Sequence, residues 1–224
     1  MSSSESKFGL AKFLLDIPPA VLYHYTSMEG LLGIVQSGKI RASDSRFLND
    51  RTDSTYLFEI LRTRIPQRII NTTGADRKYY EDLLAALEKT TIFDVFVASF
   101  SEDGDSLSQW RAYSPGGIGF SIGVEPKTLR RGYVSDPFEP HFVFERFSRV
   151  RYLSDAPDTS LDEILKAAEN WVELVSKANI PISPVDFTAG SLSVSAPTFK
   201  HNSFAEEREW RLILRAYFIN SASK

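Results

Sequence analysis

The chain has 224 residues, of which 42% are hydrophobic, and its 26 basic and 29 acidic residues give a net charge of −3. That length is enough for one sizeable core, and no linker-like stretch argues for a second domain. The charge gives no overall attraction to nucleic acid, and the absence of cysteine excludes disulfides, a thiolate nucleophile and cysteine zinc sites. The first residues are too polar for a signal peptide or a membrane span, so we expect a cytoplasmic protein without membrane partners.

The first predicted elements are a strand and a helix. Val21 to Thr26 is rich in β-branched and aromatic residues and is predicted to be a strand. Thr26 and Glu29 then have the capping-box spacing for a helix, which Gly38 is expected to end.

Periodicity predicts three further helices and four further strands. The helices run from Thr55 to Arg64 before Pro66, from about Asp76 to Lys89, and from a capping box at Ser160 and Glu163 to about Val175. The strands run from Ile92 to Ser101, from Gly117 to Val124, from His141 to Leu153 and from Glu209 to Phe218. Helices early and strands late favour a single α+β domain over residues 1–224, with a core at about 20–218 and flexible flanks at 1–18 and 219–224.

Two polar segments in the first quarter of the chain are candidate ligand contacts. His24, Tyr25 and Thr26 bring an imidazole, an aromatic face and a hydroxyl to the point where a strand meets a helix, which suits a nucleoside. The alternative is a core histidine beside a helix cap. The loop of Asn49, Asp50 and Arg51 offers groups for ribose hydroxyls or a pyrophosphate, although these are also ordinary turn residues.

A third candidate follows the predicted strand that ends at Ser101. A short helical turn there carries Gln109, Trp110, Arg111 and Tyr113, and aromatic faces with an arginine suit a flat ligand.

The fourth candidate is the acid pair Glu207 and Glu209. In an extended segment both would point to the same side as Arg211, with Arg208 and Trp210 on the other side. Two adjacent carboxylates raise the pKa of one of them and can divide the work of charge stabilisation and proton transfer. The alternative is a solvated charge run on an edge strand.

The HYTS, LND, FS…SQWRAY…GxGF and ExEWRL motifs resemble, in this order, a widespread bacterial family catalogued as a domain of unknown function. The resemblance covers about residues 21 to 215. That family in turn resembles the ADP-ribosyltransferases, most visibly DNA-modifying toxins of toxin–antitoxin pairs, whose first strand also carries a histidine and a threonine.

This resemblance implies a split antiparallel β-sheet core with an N-terminal helical part, and NAD as a substrate. It implies that His24 contacts the ribose or nicotinamide side of NAD and that Ser101 or Tyr113 supports the nicotinamide pocket. Glu209 becomes the catalytic glutamate and Glu207 its helper. Arg51 and Arg111 are candidates to neutralise the pyrophosphate.

The resulting hypothesis is transfer of ADP-ribose to a macromolecule, protein or nucleic acid, or hydrolysis of NAD, without a metal. A toxin or phage-defence effector, with an antitoxin or regulatory partner, fits this activity. Two alternatives stay open. One is a non-enzymatic nucleotide- or peptide-binding module, and the other is a metal-dependent phosphoesterase that uses Asp50, Glu207 and Glu209.

Overall fold

The computed structural model describes residues 16–48, 55–89, 95–114, 117–129, 141–153, 165 and 183–217. Its helices with described bounds are α1 (Met28–Ser37), α2 (Tyr56–Asn71), α3 (Gly74–Lys89), α4 (Leu107–Tyr113) and α5 (Pro184–Ser195). Its strands are β1 (Leu22–Thr26), β2 (Ser43–Asp44), β3 (Val95–Ser101), β4 (Phe120–Val124), β5 (His141–Arg149), β6 (Arg151–Leu153), β7 (Phe199–His201) and β8 (Glu209–Tyr217). No helix in these ranges is long and apolar enough to cross a membrane.

A six-stranded antiparallel sheet forms the centre of the molecule, with strand order β4-β1-β3-β8-β5 and β2 paired to β3. Strands β6 and β7 form a separate parallel pair. The chain is therefore mixed helix and strand around an antiparallel sheet, with α1 to α3 preceding β3, as the sequence predicted.

The two faces of the sheet pack differently. Trp210 of β8 packs with Leu22, Ala98 and Phe100 on one face. Ile213, three residues further along β8, packs on the other face with Val95, Val97 and Val194 of α5. A third cluster joins α2, α3 and α5, and it includes the buried Leu165. Strand alternation explains why the polar Glu209 and Arg211 lie on the Ile213 side.

The cap of α1 differs from the prediction. Ser27, rather than Thr26, is the N-cap, and its Oγ accepts a hydrogen bond from the backbone N–H of Gly30 at 3.2 Å. Thr26 is instead the last residue of β1, because its backbone pairs with Phe120 of β4. The C-terminal end was predicted correctly, since Gly38 adopts a left-handed φ of 65°.

Helix α2 does not end before Pro66, as the sequence predicted, but continues to Asn71. A proline at this position leaves the carbonyl oxygen of Arg62 without its helical N–H partner. Arg62 lies on the exposed side of the helix, where water can satisfy that oxygen. The buried face, which includes Leu61 and Ile65, continues past the proline and holds the helix together.

Two other predictions need correction. The segment predicted as one strand from His141 to Leu153 forms β5 and β6, which belong to different sheets, and the N–H of Val150 between them donates to the carbonyl oxygen of Glu209 at 2.9 Å. Helix α5 was not predicted at all. The predicted helix from Ser160 to Val175 lies outside the described residues except for Leu165, which is helical.

Candidate functional site

A cavity of about 440 Å³ opens beside β3. Its volume falls in the range of ligand pockets, roughly 300–1,000 Å³. It is lined by consecutive residues of two strands, Tyr23 to Tyr25 of β1 and Val97 to Phe100 of β3. Successive residues of a strand point to opposite faces. The cavity is therefore bordered by both strands.

The pairing of the strands explains this opening. β1 makes five register pairs with β4, but a single pair, Tyr23 opposite Ser101, joins it to β3. Beyond that pair, His24 Nδ1 lies 2.9 Å from the carbonyl oxygen of Ser99. Because a carbonyl oxygen only accepts hydrogen bonds, this contact places the imidazole proton on Nδ1 and leaves Nε2 as an acceptor. Burial lowers the pKa of His24, so the ring is neutral at physiological pH.

Four ionised side chains form one wall of the cavity, and we call them the charged cluster. They are Lys200 of β7, Glu207 at the end of a short 3-10 helix, and Glu209 and Arg211 of β8. Lys200 Nζ donates to Glu207 Oε2 at 2.7 Å and to Glu209 Oε2 at 3.1 Å. Arg211 donates from Nε to Glu209 Oε1 at 2.7 Å and from Nη2 to Oε2 at 3.0 Å. The two acids thus share one lysine.

The acid pair is close together, but not for the predicted reason. Glu207 is not part of an extended segment, because the 3-10 helix runs to Glu207 and Arg208 then turns the chain with a left-handed φ of 44°. The pKa effect also has the opposite sign for Glu209. Burial by itself raises the pKa of this carboxyl, but the charges of Arg211 and Lys200 and a hydrogen bond from Arg211 outweigh it and lower the pKa to about 2. Glu209 is therefore an ionised, weakly basic carboxylate.

Two tyrosines near Glu209, Tyr152 and Tyr113, are neutral. The phenol oxygen of Tyr152 accepts a hydrogen bond from the backbone N–H of Glu209 at 2.8 Å, and burial raises the pKa of this tyrosine. Burial, together with the negative charge of Glu209, also raises the pKa of Tyr113 to about 12. Tyr113 lines the cavity, so it presents a hydrogen-bonding hydroxyl rather than an anion.

The structure brings together seven of the residues that the sequence singled out. They are His24, Tyr25, Gln109, Tyr113, Glu207, Glu209 and Arg211. Tyr25 also has a structural part, because its hydroxyl donates to the carbonyl oxygen of Asp103 at 2.7 Å and accepts from the N–H of Ser106 at 2.8 Å. This pair of bonds ties β1 to the loop that leads into α4.

Four predicted residues are not among those that line the cavity: Thr26, Ser101, Trp110 and Arg111. Ser101 supports the site from behind, because its hydroxyl donates to the carbonyl oxygen of Glu207 at 2.8 Å. Trp110 stacks edge-on against Tyr25 and donates from Nε1 to Asp105. Arg111 is exposed on α4. The loop residues Asn49, Asp50 and Arg51 lie outside the described residues.

Sequence reasoning also missed residues that line the cavity, among them Arg41, Phe47, Ser99 and Lys200. Arg41 is exposed and makes no hydrogen bond or ion pair with any described residue. Phe47 is 79% exposed, which is unusual for so large an apolar side chain. Their signal in the sequence was weak, because an arginine and a phenylalanine near a turn have many ordinary explanations. Lys200 was part of the motif that held the acid pair, but nothing local indicated that it would lie between them.

Among the described residues, no group of three or more His, Asp or Glu side chains is arranged to hold a metal ion. Two of the three acids required by the phosphoesterase alternative, Glu207 and Glu209, bind Lys200 instead. The third, Asp50, is outside the described residues.

Comparison with known proteins identifies a family match over part of the chain. No curated protein and no solved structure matches the chain. The model of one family, described as a protein of unknown function (DUF2971), matches residues 109–212, a segment that begins in α4 and ends in β8. It includes the Glu207–Arg211 end of the cavity wall but not β1. A DUF2971 domain, whose function is unknown, is thus found in this chain at residues 109–212.

Proposed function

We propose that the cavity binds NAD and that the protein breaks the bond between nicotinamide and ribose, passing ADP-ribose to a macromolecule or to water. One observation carries the proposal: His24, Tyr113 and Glu209, which the resemblance to ADP-ribosyltransferases selected from distant parts of the sequence, line one cavity where β1 and β3 separate. The resemblance implies a split antiparallel sheet, and the single register pair between β1 and β3 supports that part of the proposal.

The chemistry of the lining supports NAD as the ligand. Arg41 offers a guanidinium, a good partner for pyrophosphate oxygens, without a competing partner among the described residues. Neutral His24 and Tyr113 offer hydrogen bonds to ribose hydroxyls or to the nicotinamide amide. The exposed ring of Phe47 offers a face on which a base or a nicotinamide can stack.

The reaction requires little acid–base catalysis from the protein. The C1′–N bond of NAD breaks with its electron pair leaving on the nicotinamide, which departs neutral and needs no proton. Positive charge develops on the ribose, and ionised carboxylates in a poorly hydrated site stabilise that charge. The acceptor then forms a bond to C1′ and releases its proton. The low pKa of Glu209 keeps its carboxylate charged throughout the physiological range.

The direct test is release of nicotinamide from NAD by the purified protein, measured alone and with added protein, RNA or DNA. We expect release by the wild-type chain and at least a 100-fold lower rate in the double variant Glu207→Gln/Glu209→Gln, roughly the loss typical of removing a transition-state charge. Glu125→Gln, at an exposed site directly after β4 that is not part of the cavity lining, should match the wild type. The proposal is wrong if calorimetry shows no NAD binding and no acceptor gives nicotinamide release.

A nucleotide-binding module without catalysis is the second candidate. The observation that favours it is the ion pairing of both acids, which leaves the cavity able to hold a phosphate at Arg41 without any reactive base. NAD or another nucleotide that raises the melting temperature, with no nicotinamide release, would select this function. Under either proposal, toxin or phage-defence activity requires a test in cells that express the chain.

A further inference from the structure

The two acids of the charged cluster have different surroundings. Glu209 is 5% exposed, and its carboxylate accepts two hydrogen bonds from Arg211, one from Lys200 and a further one from the side chain of Ser99. Its backbone N–H is also held, by Tyr152. A carboxylate has about four acceptor positions. Glu209 therefore has little capacity left for a ligand.

Glu207 is placed at the edge of the same cluster. Its side chain is 17% exposed and lines the cavity, and Lys200 Nζ binds its Oε2 at 2.7 Å. Its backbone is fixed from two sides, because Ser101 binds its carbonyl oxygen and the left-handed Arg208 ends the 3-10 helix directly after it. Glu207 is thus an ion-paired carboxylate on a fixed backbone, it lines the cavity, and its side chain is more exposed than that of Glu209.

We propose that Glu207 is the carboxylate that touches the ligand, and that Glu209 is a positioning residue that holds Lys200 and Arg211 in place. This inference rests on the proposed NAD chemistry and reverses the roles that the sequence motif implied. Glu207 accepts a hydrogen bond from a ribose hydroxyl and faces the positive charge that develops as the C1′–N bond breaks. Glu209 acts through Lys200, which it shares with Glu207 and whose position orients the Glu207 carboxylate.

The experiment compares Glu207→Gln and Glu209→Gln with the control Glu125→Gln. Glu125 has a side chain that is 52% exposed, so the control makes the same glutamate-to-glutamine change at an ion pair on the surface. Melting temperature, kcat and KM for nicotinamide release are measured for each, and kcat is expressed per folded molecule at a temperature where every variant is folded.

We expect Glu207→Gln to melt within about 2 °C of the wild type and to lose kcat about 100-fold or more, with KM little changed. Glu209→Gln should melt roughly 10 °C lower, because it leaves buried cations without their partner. Its kcat per folded molecule should fall about tenfold, an effect that a purely structural residue would not show. Glu207→Asp, which keeps the charge, should recover part of the activity that Glu207→Gln loses. Should Glu209→Gln not fold, Glu209→Asp gives the same comparison with the charge retained.

Two results would overturn the inference while leaving the proposed function intact. One is a Glu207→Gln protein that keeps its kcat within threefold of an active wild type. The other is a Glu209 variant that loses more kcat per folded molecule than Glu207→Gln. A wild-type protein that neither binds NAD nor releases nicotinamide would instead remove the proposed function, and this inference with it.

Discussion

Replacing Lys200 by methionine removes a side chain that donates hydrogen bonds to both acids of the charged cluster. Lys200 is 7% exposed on its side chain, and its Nζ also lies 4.8 Å from the ring centre of Phe204. Methionine keeps an unbranched apolar stem of similar length, so the change isolates the loss of the charge and its hydrogen bonds.

The expected loss of stability is large at neutral pH. Removing one partner of a buried ion pair costs about 3–5 kcal/mol, because the remaining charge has lost its compensation. Within the charged cluster, the variant leaves two carboxylates, Glu207 and Glu209, and one cation, Arg211, which is paired with Glu209. Mutual repulsion in a poorly hydrated site then raises the pKa of one carboxyl above its usual value.

The direction of the pH dependence follows from that rise. A carboxyl whose pKa is higher in the folded than in the unfolded protein binds more protons in the folded state, so stability falls as pH rises above the ordinary glutamate pKa of about 4.3. Wild-type Glu209 has the opposite shift, to about 2, and stays ionised at both pH 5 and pH 8. The free energy of unfolding of the variant should therefore lie further below that of the wild type at pH 8 than at pH 5. The difference should be about 1.4 kcal/mol for each unit by which the pKa of the carboxyl rises within that window.

Urea unfolding followed by tryptophan fluorescence measures both the loss of stability and its dependence on pH. The buried Trp210, which lies between Glu209 and Arg211 in β8, is a suitable reporter. Lys127→Met is the matched control, because Lys127 is 82% exposed and its ion pair with Glu125 at 3.2 Å should contribute at most about 1 kcal/mol. A loss below about 1 kcal/mol for Lys200→Met, or an equal loss at pH 5 and pH 8, would refute this account of the cluster.

Three further predictions concern ligand binding, acid unfolding and the turn before β8. Arg41→Ala should weaken NAD binding in calorimetry roughly tenfold. It should not lower the melting temperature, because Arg41 has no partner among the described residues. An unchanged affinity would contradict the proposed contact of Arg41 with the pyrophosphate. The depressed pKa of Glu209 should contribute about 3 kcal/mol that is present above about pH 5 and lost as the pH falls towards 2, and Glu209→Gln should lack this part of the urea-monitored pH dependence. Arg208→Gly should leave stability unchanged or raise it by up to about 1 kcal/mol, since glycine adopts the left-handed φ of 44° without strain; clear destabilisation would show that the arginine side chain matters more than the turn.

The sequence predicted the central strands well because their local pattern and their burial agree. β1, β3 and β8 are rich in β-branched and aromatic residues, and each strand begins or ends within a few residues of its predicted limit where the structure describes it. Helix α5 shows the opposite case. Thr188, Ser193 and Val194 are buried on different sides of it, so no polar face gives the periodic signal that predicts a helix. The start of α5 nevertheless has a local sequence signal, because Ser183 caps the helix and Pro184 occupies its first position.

The candidate site was predictable as a set of residues but not as an arrangement. The proximity of Glu207 and Glu209 was expected from strand alternation, yet it comes from a 3-10 helix, a left-handed Arg208 and the shared Lys200. The serine that reaches the cavity is Ser99 rather than Ser101, although both lie on the same face of β3. Their cross-strand neighbours decide this, since Ser101 stands opposite Glu209 and is used to hold the carbonyl oxygen of Glu207. Such choices depend on contacts between distant segments, which no local pattern contains.

The balance of charge in the cavity bears on which ligand it would favour. Within the charged cluster, the two carboxylates are matched by Lys200 and Arg211, so the cluster is neutral as a whole while its negative groups remain locally concentrated. Arg41, on a different segment of the chain, then gives the described lining a net positive charge. A ligand that carries both a cationic and an anionic group suits a lining with both signs of charge better than a uniformly anionic nucleotide does. Oxidised NAD has that character, with a pyridinium ring at one end and a pyrophosphate in the middle, whereas reduced NADH lacks the ring charge. If the proposed function is right, NAD should therefore bind more tightly than NADH, and neutralising the acids should reduce that preference.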